Sequence, residues 1–285
     1  MNDDIHGSDF DSLLVLLPGS AKTPEGVRLL CEISKSDDFF IQNKLKMKLP
    51  HILCPVYSSD IDGSIGDLLE FFHINFLAAK KNFLERPFKP FPVLSCGFGK
   101  KQSRFVNNHS SSVEIYNEEE ILLLEGRYRA TDLKVANMPE SDVSASLKPQ
   151  KVKNVNSMDV RIFRFVMLYL VMDPDPLVFI DQSLDYSFLE SAKKMTVPAN
   201  FDDLKIKLEE MFGCAINSEM RQHEYVLKQA QDISENKTKG FKLKRKQDTV
   251  TTAISNEAAA NRMSRLLFFQ WCKANGWINR IMPAV

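Results

Sequence analysis

The sequence predicts an α+β fold, in which helices and an antiparallel sheet form a mixed core and the C-terminal region is helical. Two stretches in the middle of the chain, 112–130 and 162–180, are rich in β-forming residues. Their apolar residues either alternate with polar ones or follow one another without a break, and both patterns are typical of strands. Helical spacing of apolar residues occurs on both sides of them. Of the 285 residues, 44% are hydrophobic and 10% aromatic, which supports a buried core and excludes a disordered chain.

The first quarter of the chain contains one apolar run and two predicted helices. The run at 13–17 ends at Pro18 and predicts a short core element, although it also fits a leucine-rich interaction or export signal. The Thr-Pro-Glu sequence at 23–25 is typical of a helix start, because it combines a capping hydroxyl, a tolerated proline and an acid that favours the helix dipole. Apolar spacing predicts a second helix from 64 to 85.

Three segments predict the sheet. Residues 112–116 alternate as a half-buried strand does, and 121–130 form a strand whose second half becomes polar on one face. Arg127 and Arg129 would share that face, because strand side chains repeat every two residues. They are either solvated or bind an acidic partner. Residues 162–180 predict two buried strands around an Asp-Pro-Asp-Pro turn.

The chain after Pro198 is predicted to be helical. Apolar spacing predicts helices ending at Gly213, over 218–233, and from near Ser255 onward, the last with an aromatic apolar stripe. This stripe either docks on the sheet or forms a surface for self-association or lipid contact. The residues that would carry self-association are Met263, Leu267, Trp271 and Ile278.

Composition shifts divide the chain into three predicted regions. An acidic N-terminal segment covers 1–20, an α+β core covers 21–198, and a helical C-terminal region covers 199–285 with a basic linker at 234–249. Opposite charge at the two ends suggests attraction between copies, although exposed ion pairs are individually weak.

Catalytic and metal-binding patterns are missing from the sequence. It contains no P-loop, no dinucleotide fingerprint and no nucleophile elbow, and its five histidines are dispersed. Its five cysteines form no C-x-x-C pair, which argues against zinc and disulfides and for a reducing compartment. No signal peptide or membrane-spanning run is recognisable. We therefore expect no enzyme, no cofactor and no metal, and a cytosolic or nuclear location.

The clearest functional signal is a basic run. Six of the ten residues at 237–246 are basic and none is acidic, in a chain whose formal net charge is zero. Within it, Lys242, Lys244, Arg245 and Lys246 fit a short nuclear import signal that an import receptor would bind. The same residues could contact RNA phosphates or anionic lipid, or simply belong to a solvated linker.

This organisation resembles the matrix proteins of negative-strand RNA viruses, especially the plant-infecting rhabdoviruses that mature at the nucleus. The similarity lies in the non-enzymatic character, the mixed core, the basic nuclear signal and the tail suited to assembly, and it transfers no functional residue. It implies binding to nucleocapsid or RNA and to an anionic membrane, homo-oligomerisation, and a location in the host nucleus, the cytoplasm and the virion.

Three other functions remain open from the sequence. The first is a viral movement-type protein that binds nucleic acid, and the second is a cellular nuclear adaptor. The third is an enzyme whose site is assembled from distant residues.

Overall fold

The structure is a computed structural model that describes five stretches of the chain, at 10–134, 158–171, 173–222, 251–255 and 257–278. Within them the helices are α1 (Pro24–Ser34), α2 (Asp38–Leu45), α3 (Ser58–Ile61), α4 (Ser64–Phe71), α5 (Lys81–Glu85), α6 (Val197–Phe212) and α7 (Glu257–Ala274). The strands are β1 (Ser12–Leu16), β2 (His51–Val56), β3 (Phe76–Lys80), β4 (Phe91–Val93), β5 (Ser95–Phe98), β6 (Gln102–Val106), β7 (Ser112–Tyr116), β8 (Ile121–Lys134), β9 (Met158–Leu170), β10 (Asp173–Ile180) and β11 (Thr251–Ser255). Short 3-10 helices cover Tyr186–Ala192 and Glu219–Gln222.

The strands form three sheets, whose pairing is antiparallel except between β10 and β4. A three-stranded sheet has the order β2-β1-β3, and another has the order β5-β6-β7. The central five-stranded sheet has the order β11-β8-β9-β10-β4. This mixture of helices with largely antiparallel sheets confirms the predicted α+β class.

The predicted start of the first helix is confirmed, and the predicted helix over 64–85 is wrong. Thr23 caps α1, because its hydroxyl oxygen accepts a hydrogen bond from the Gly26 amide at 3.1 Å. The second segment instead contains α4, β3 and α5. His73 adopts a left-handed conformation (φ 55°) just after α4, which reverses the chain. Pairing of β3 with β1 then overrides the helical spacing of its apolar residues.

The central sheet is buried on both faces. In β8, Leu123 and Leu124 are fully buried but point to opposite sides, as strand geometry requires. Leu124, opposite Met167 of β9, belongs to the hydrophobic cluster that includes α7. Leu123, opposite Leu168, belongs to the cluster that includes α6. Each face of the sheet is therefore covered by one of the two long helices.

The apolar stripe of α7 faces the sheet. Met263 and Leu267 are 4% and 3% exposed, and Trp271 and Ile278 are partly buried against the same cluster. A hydrogen bond of 2.7 Å joins the hydroxyls of Ser264 and Tyr169 across the interface between helix and sheet. These contacts show that α7 packs on the central sheet. Self-association through the same side chains stays a prediction and would have to disturb this packing.

The three predicted regions share these clusters. In the acidic N-terminal segment, β1 is the middle strand of its sheet, and its Leu14 and Val15 are fully buried. From the C-terminal region, α6 and α7 pack on the same central sheet, and β11 pairs with β8. The division of the chain at residues 20 and 198 stays a prediction about its folding units.

Candidate anion-binding face of the central strands

The predicted import or anion-binding residues Lys242, Lys244, Arg245 and Lys246 lie outside the described residues. The structure nevertheless places the strand that follows them. Thr251, the first residue of β11, pairs with Lys134, the last residue of β8. The basic run therefore joins the fold at one end of the central sheet.

The same end of the sheet is where the strands β8 and β9 connect. Leu133 near the end of β8 pairs with Met158 at the start of β9. The segments 135–157 and 223–250, which include Lys148, Lys151, Lys153 and the basic run, thus both join the sheet at this end. The sequence alone did not show that Lys134, Met158 and Thr251, which flank these segments, lie at one end of the sheet.

Arg127 and Arg129 share a face of β8, as predicted. Residues directly opposite in an antiparallel pair lie on the same face, and Arg127 lies opposite Arg164 of β9. Arg129 is exposed, whereas Arg127 is half-buried and its Nε atom is buried without a hydrogen-bond partner. Two arginines directly opposite each other repel unless anions neutralise them.

A buried carboxylate balances part of this charge. Glu125, on the same face of β8, is only 3% exposed. Its carboxylate lies 3.1 Å from Lys205 Nζ, 3.9 Å from Arg164 Nη2 and 3.8 Å from Arg221 Nη1. Burying a carboxylate is costly unless it is paired, and these three cations make Glu125 the centre of a compact ionic network.

Helix α6 supplies the outer half of the network. Asp202 forms an ion pair with Arg164, and its carboxylate lies 3.0 Å from Lys205 Nζ. The Arg164 guanidinium also lies over the Phe201 ring, 5.0 Å from its centroid. Burial raises the pKa of Asp202, but hydrogen bonds from Arg164 and Lys205 outweigh it and hold the pKa below its ordinary value.

The return of the chain after α6 positions Arg221. Gly213 ends α6 in the left-handed conformation (φ 63°), as the sequence predicted. Asn217 then binds alongside β8, accepting a hydrogen bond from the Glu125 amide at 2.9 Å and donating one to Leu123 at 2.8 Å. Arg221 follows four residues later and reaches the carboxylate of Glu125.

Positive charge exceeds negative charge on this face. A third carboxylate, Asp181, accepts a hydrogen bond from the Arg164 amide at 3.3 Å. Burial raises the pKa of Asp181 despite backbone hydrogen bonds that lower it. The three carboxylates face four cations, Arg127, Arg164, Lys205 and Arg221. Of these four, Arg127 has no ion pair with any residue of the described stretches.

Sequence reasoning missed the acidic and lysine members of this network. Glu125 directly follows four apolar residues, so a buried position could be expected for it. A buried acid needs a cation as its partner, and that cation has to come from another part of the fold. Which cation it would be could not be read from the sequence, because Lys205 is 80 residues away.

The described stretches show no metal-binding cluster and no membrane-spanning helix. They hold no group of three or more His, Cys, Asp or Glu residues that could bind a metal ion. Among them, no helix has the length and apolar character needed to cross a membrane. Comparisons with models of protein families, with curated proteins and with solved structures found no match for this chain.

Proposed function

We propose that this protein is a non-enzymatic assembly protein of the matrix type, which binds nucleocapsid RNA through the β8–β9 face that contains Arg127 and through its basic run. The observation that supports this most directly is Arg127, a half-buried arginine without an ion pair in the described residues, beside three other cations. The chain that follows the basic run at 237–246 forms β11, which pairs with β8.

To bind RNA, this chain would need a local cluster of positive charge. A neutral protein cannot attract RNA by its overall field, so any phosphate contact must come from a local cluster. Arginine suits this role, because its planar guanidinium can donate two parallel hydrogen bonds to one phosphate. In this proposal the folded face orients the RNA, and the basic run adds affinity and serves for nuclear import.

The proposal is tested by measuring the affinity for a short single-stranded RNA at several salt concentrations. Each lost phosphate contact lowers the slope of log affinity against log salt by about 0.7 for a single strand. We expect K244A/R245A/K246A to lower the slope by about two, and R127Q by less than one, with weaker binding at low salt in both cases.

A matched control is K100A/K101A, which removes two exposed lysines from the connection between β5 and β6. This variant should bind RNA as the wild-type protein does. If the triple variant and R127Q both keep the wild-type slope, neither the basic run nor the β8–β9 face binds RNA, and the proposal is wrong.

Membrane binding and self-association distinguish the matrix type from the movement type. A matrix protein should float with liposomes that contain anionic lipid, and it should form oligomers. Salt-sensitive RNA binding without flotation and without oligomers would instead favour the movement-type alternative.

A further inference from the structure

An exposed loop covers residues 190–198, from the end of the 3-10 helix Tyr186–Ala192 to the first turn of α6. Every residue of this loop is exposed. Met195 is 103% exposed, more than any other large apolar residue of the described stretches. One exposed apolar side chain is ordinary in itself. What distinguishes Met195 is the way in which the loop that carries it is held.

Contacts on both sides of Met195 fix the backbone of the loop. The side chain of Asn200 is buried, accepts a hydrogen bond from the Lys194 amide at 2.6 Å and donates one to the Lys194 oxygen at 3.0 Å. Lys194 Nζ also lies 2.7 Å from the carboxylate of Asp203. Glu190 has φ 47° and ψ −120°, which a residue other than glycine adopts only under constraint. A partner that binds this loop would therefore not have to order it.

A groove between α1 and α2 has the size to receive such a loop. Its volume is about 620 Å³, within the range of ordinary binding sites, roughly 300–1,000 Å³. The buried Val27 and the half-buried Cys31 supply its apolar surface. A methionine side chain adapts well to an apolar surface of this kind, because it is unbranched and polarisable.

One end of the groove is acidic. Asp38 lines it, and burial together with the neighbouring acids Asp38, Asp37 and Glu32 raises the pKa of the Cys31 thiol. Asp37 and Asp38 stand where α2 begins, beside the three-residue connection from α1. The acidic end is therefore the end at which the two helices are connected.

The other end of the groove is basic. Three exposed cations line the groove, namely Lys22, Arg28 and Lys46. Lys22 precedes α1 and Lys46 follows α2. Because two helices joined by so short a connection form a hairpin, these two lysines lie away from the connection. The groove thus has a basic end, an apolar middle and an acidic end.

The loop carries the complementary charges. Lys193 and Glu190 are exposed, and neither has an ion pair with another described residue. We propose that the 190–198 loop of one molecule binds the groove between α1 and α2 of a second copy. Met195 fills the apolar middle of the groove, Lys193 lies at its acidic end and Glu190 at its basic end.

The dimensions of the two surfaces agree. Glu190 and Lys193 are three residues apart, and three residues of extended chain reach about 10 Å. The eight residues of α2 span about 12 Å. The two loop charges can therefore reach both ends of the groove at once.

The loop and the groove belong to different parts of the fold. The groove residue Val27 lies in the hydrophobic cluster of α1 and α2, whereas Leu189, just before the loop, lies in the cluster that includes α6. One molecule can use both surfaces at once, and such a heterologous contact joins copies head to tail. This inference rests on the self-association that the proposed function requires, and it names the surfaces that carry it.

The contact between two copies is expected to be weak. The loop offers nine exposed residues, whereas a stable interface has about 20 to 30 residues on each side. We therefore expect a monomer at about 1 μM protein and reversible association near about 100 μM. Sedimentation velocity over this range measures the association constant.

M195D tests the anchor, because it places a charge in the apolar middle of the groove. It should weaken association about 30-fold, the effect of losing a central anchor residue. I206D is the matched control, since Ile206 is 53% exposed on α6 outside the loop, and it should associate as the wild type does. A wild type that stays monomeric at about 300 μM, or equal association of M195D and the wild type, would overturn the proposal.

A mixture of two variants tests the head-to-tail arrangement. D38K/Q42K replaces two exposed residues of the groove with cations that repel Lys193, and it keeps the loop intact. M195D keeps the groove intact. Each variant alone should be monomeric, and an equal mixture should form a dimer, because the loop of one can bind the groove of the other. A mixture that stays monomeric would contradict the proposed pairing.

Cys31 reports directly on the groove, because its thiol lines it. Its alkylation by iodoacetamide can be followed by mass spectrometry on the tryptic peptide 29–35. We expect the wild-type rate to fall about threefold between about 1 and 300 μM protein, the value for a groove that is occupied two-thirds of the time. The rate for M195D should stay constant, and buried Cys272 should stay unreactive in both proteins. Association of the wild type with an unchanged Cys31 rate would mean that another surface forms the oligomer, contrary to the proposal.

RNA binding separates a failure of this inference from a failure of the proposed function. At about 1 μM protein, M195D should bind the short RNA with the wild-type salt slope, because the loop is not one of the proposed RNA contacts. Normal RNA binding together with association that does not depend on Met195 would overturn this inference alone. Association that depends on Met195, in a protein that does not bind RNA, would overturn the proposed RNA binding and support the inference.

Discussion

Arg265 of α7 donates a hydrogen bond from Nη1 to the main-chain oxygen of Arg86 at 2.7 Å, although 179 residues separate the two in the sequence. Its Nη2 atom lies 3.1 Å from the oxygen of Pro87 and 3.4 Å from the carboxylate of Asp175, which also binds Arg86. The guanidinium lies over the Phe88 ring, 5.0 Å from its centroid. One buried side chain thus joins α7, the segment after α5 and the start of β10.

Arg265→Met should destabilise the protein by about 1 to 3 kcal/mol, because it leaves the main-chain oxygens of Arg86 and Pro87 and the carboxylate of Asp175 short of a donor. Urea denaturation measures this loss as a lower midpoint at an unchanged slope. Arg262→Met on the same helix is the control, and it should change stability by no more than about 0.5 kcal/mol. Similar midpoints for the two variants would contradict a structural role for Arg265.

Stability should fall above pH 9 because of Cys272. Burial raises the pKa of this thiol from 9.0 to about 12. The unfolded chain releases the proton near pH 9 while the folded protein keeps it, so the stabilisation is complete below pH 9 and is lost as the pH rises toward about 12. Cys272→Ala should lessen the decline by about 1.4 kcal/mol per pH unit.

Denaturation at two pH values, near 8 and 10, measures this difference. The half-buried Cys31 gives the comparison, since burial and neighbouring acids raise its pKa without fully enclosing the thiol. Cys31→Ala should therefore change the pH dependence less than Cys272→Ala. Equal slopes in the wild type and Cys272→Ala would contradict the prediction.

The basic run should direct the protein to the nucleus. A fluorescent fusion with K244A/R245A/K246A should move to the cytoplasm, because an import receptor would lose three of its contacts. K148A/K151A/K153A removes the same number of charges from a segment without a contiguous run, and it should stay nuclear. Fluorescence microscopy compares the two variants. Unchanged nuclear accumulation of the first would show that the run is not an import signal.

Truncation after Thr252 tests whether α7 belongs to the core. Without α7 one face of the central sheet would be open, including Met167 and Tyr169, which are now buried. We expect the truncated protein to be insoluble or unfolded. Its solubility and the cooperativity of its thermal unfolding would be measured. A soluble monomer that still unfolds cooperatively would favour the alternative, in which α7 serves mainly for self-association.

The sequence predicted β8, β9 and β10 of the central sheet, because long apolar runs leave few other options, but it did not predict the short edge strands β4 and β11. The helix starts at Thr23 and the helix end at Gly213 were also predictable, since capping depends on neighbouring residues alone. The error over 64–85 arose where pairing with β1 outweighed local spacing. The spacing of apolar residues within 64–85 contains no information about β1 as a pairing partner.

The candidate site was only partly predictable for the same reason. The common face of Arg127 and Arg129 follows from strand geometry alone. The partners of Glu125 come from α6 and the segment after it, and the buried role of Arg265 depends on Arg86 and Asp175. Helical spacing could not show that Arg265 is buried, because the chain that covers it lies far away in the sequence.

The position of α7 has a consequence for synthesis of the protein. Strand β9 ends at Leu170 and α7 begins at Glu257, so the apolar face of the sheet is translated well before its cover. At about 5 to 20 residues per second, the delay is roughly 4 to 17 s. During that interval the nascent chain presents an uncovered, aggregation-prone surface. Newly made protein should therefore depend on chaperones far more than the finished molecule does.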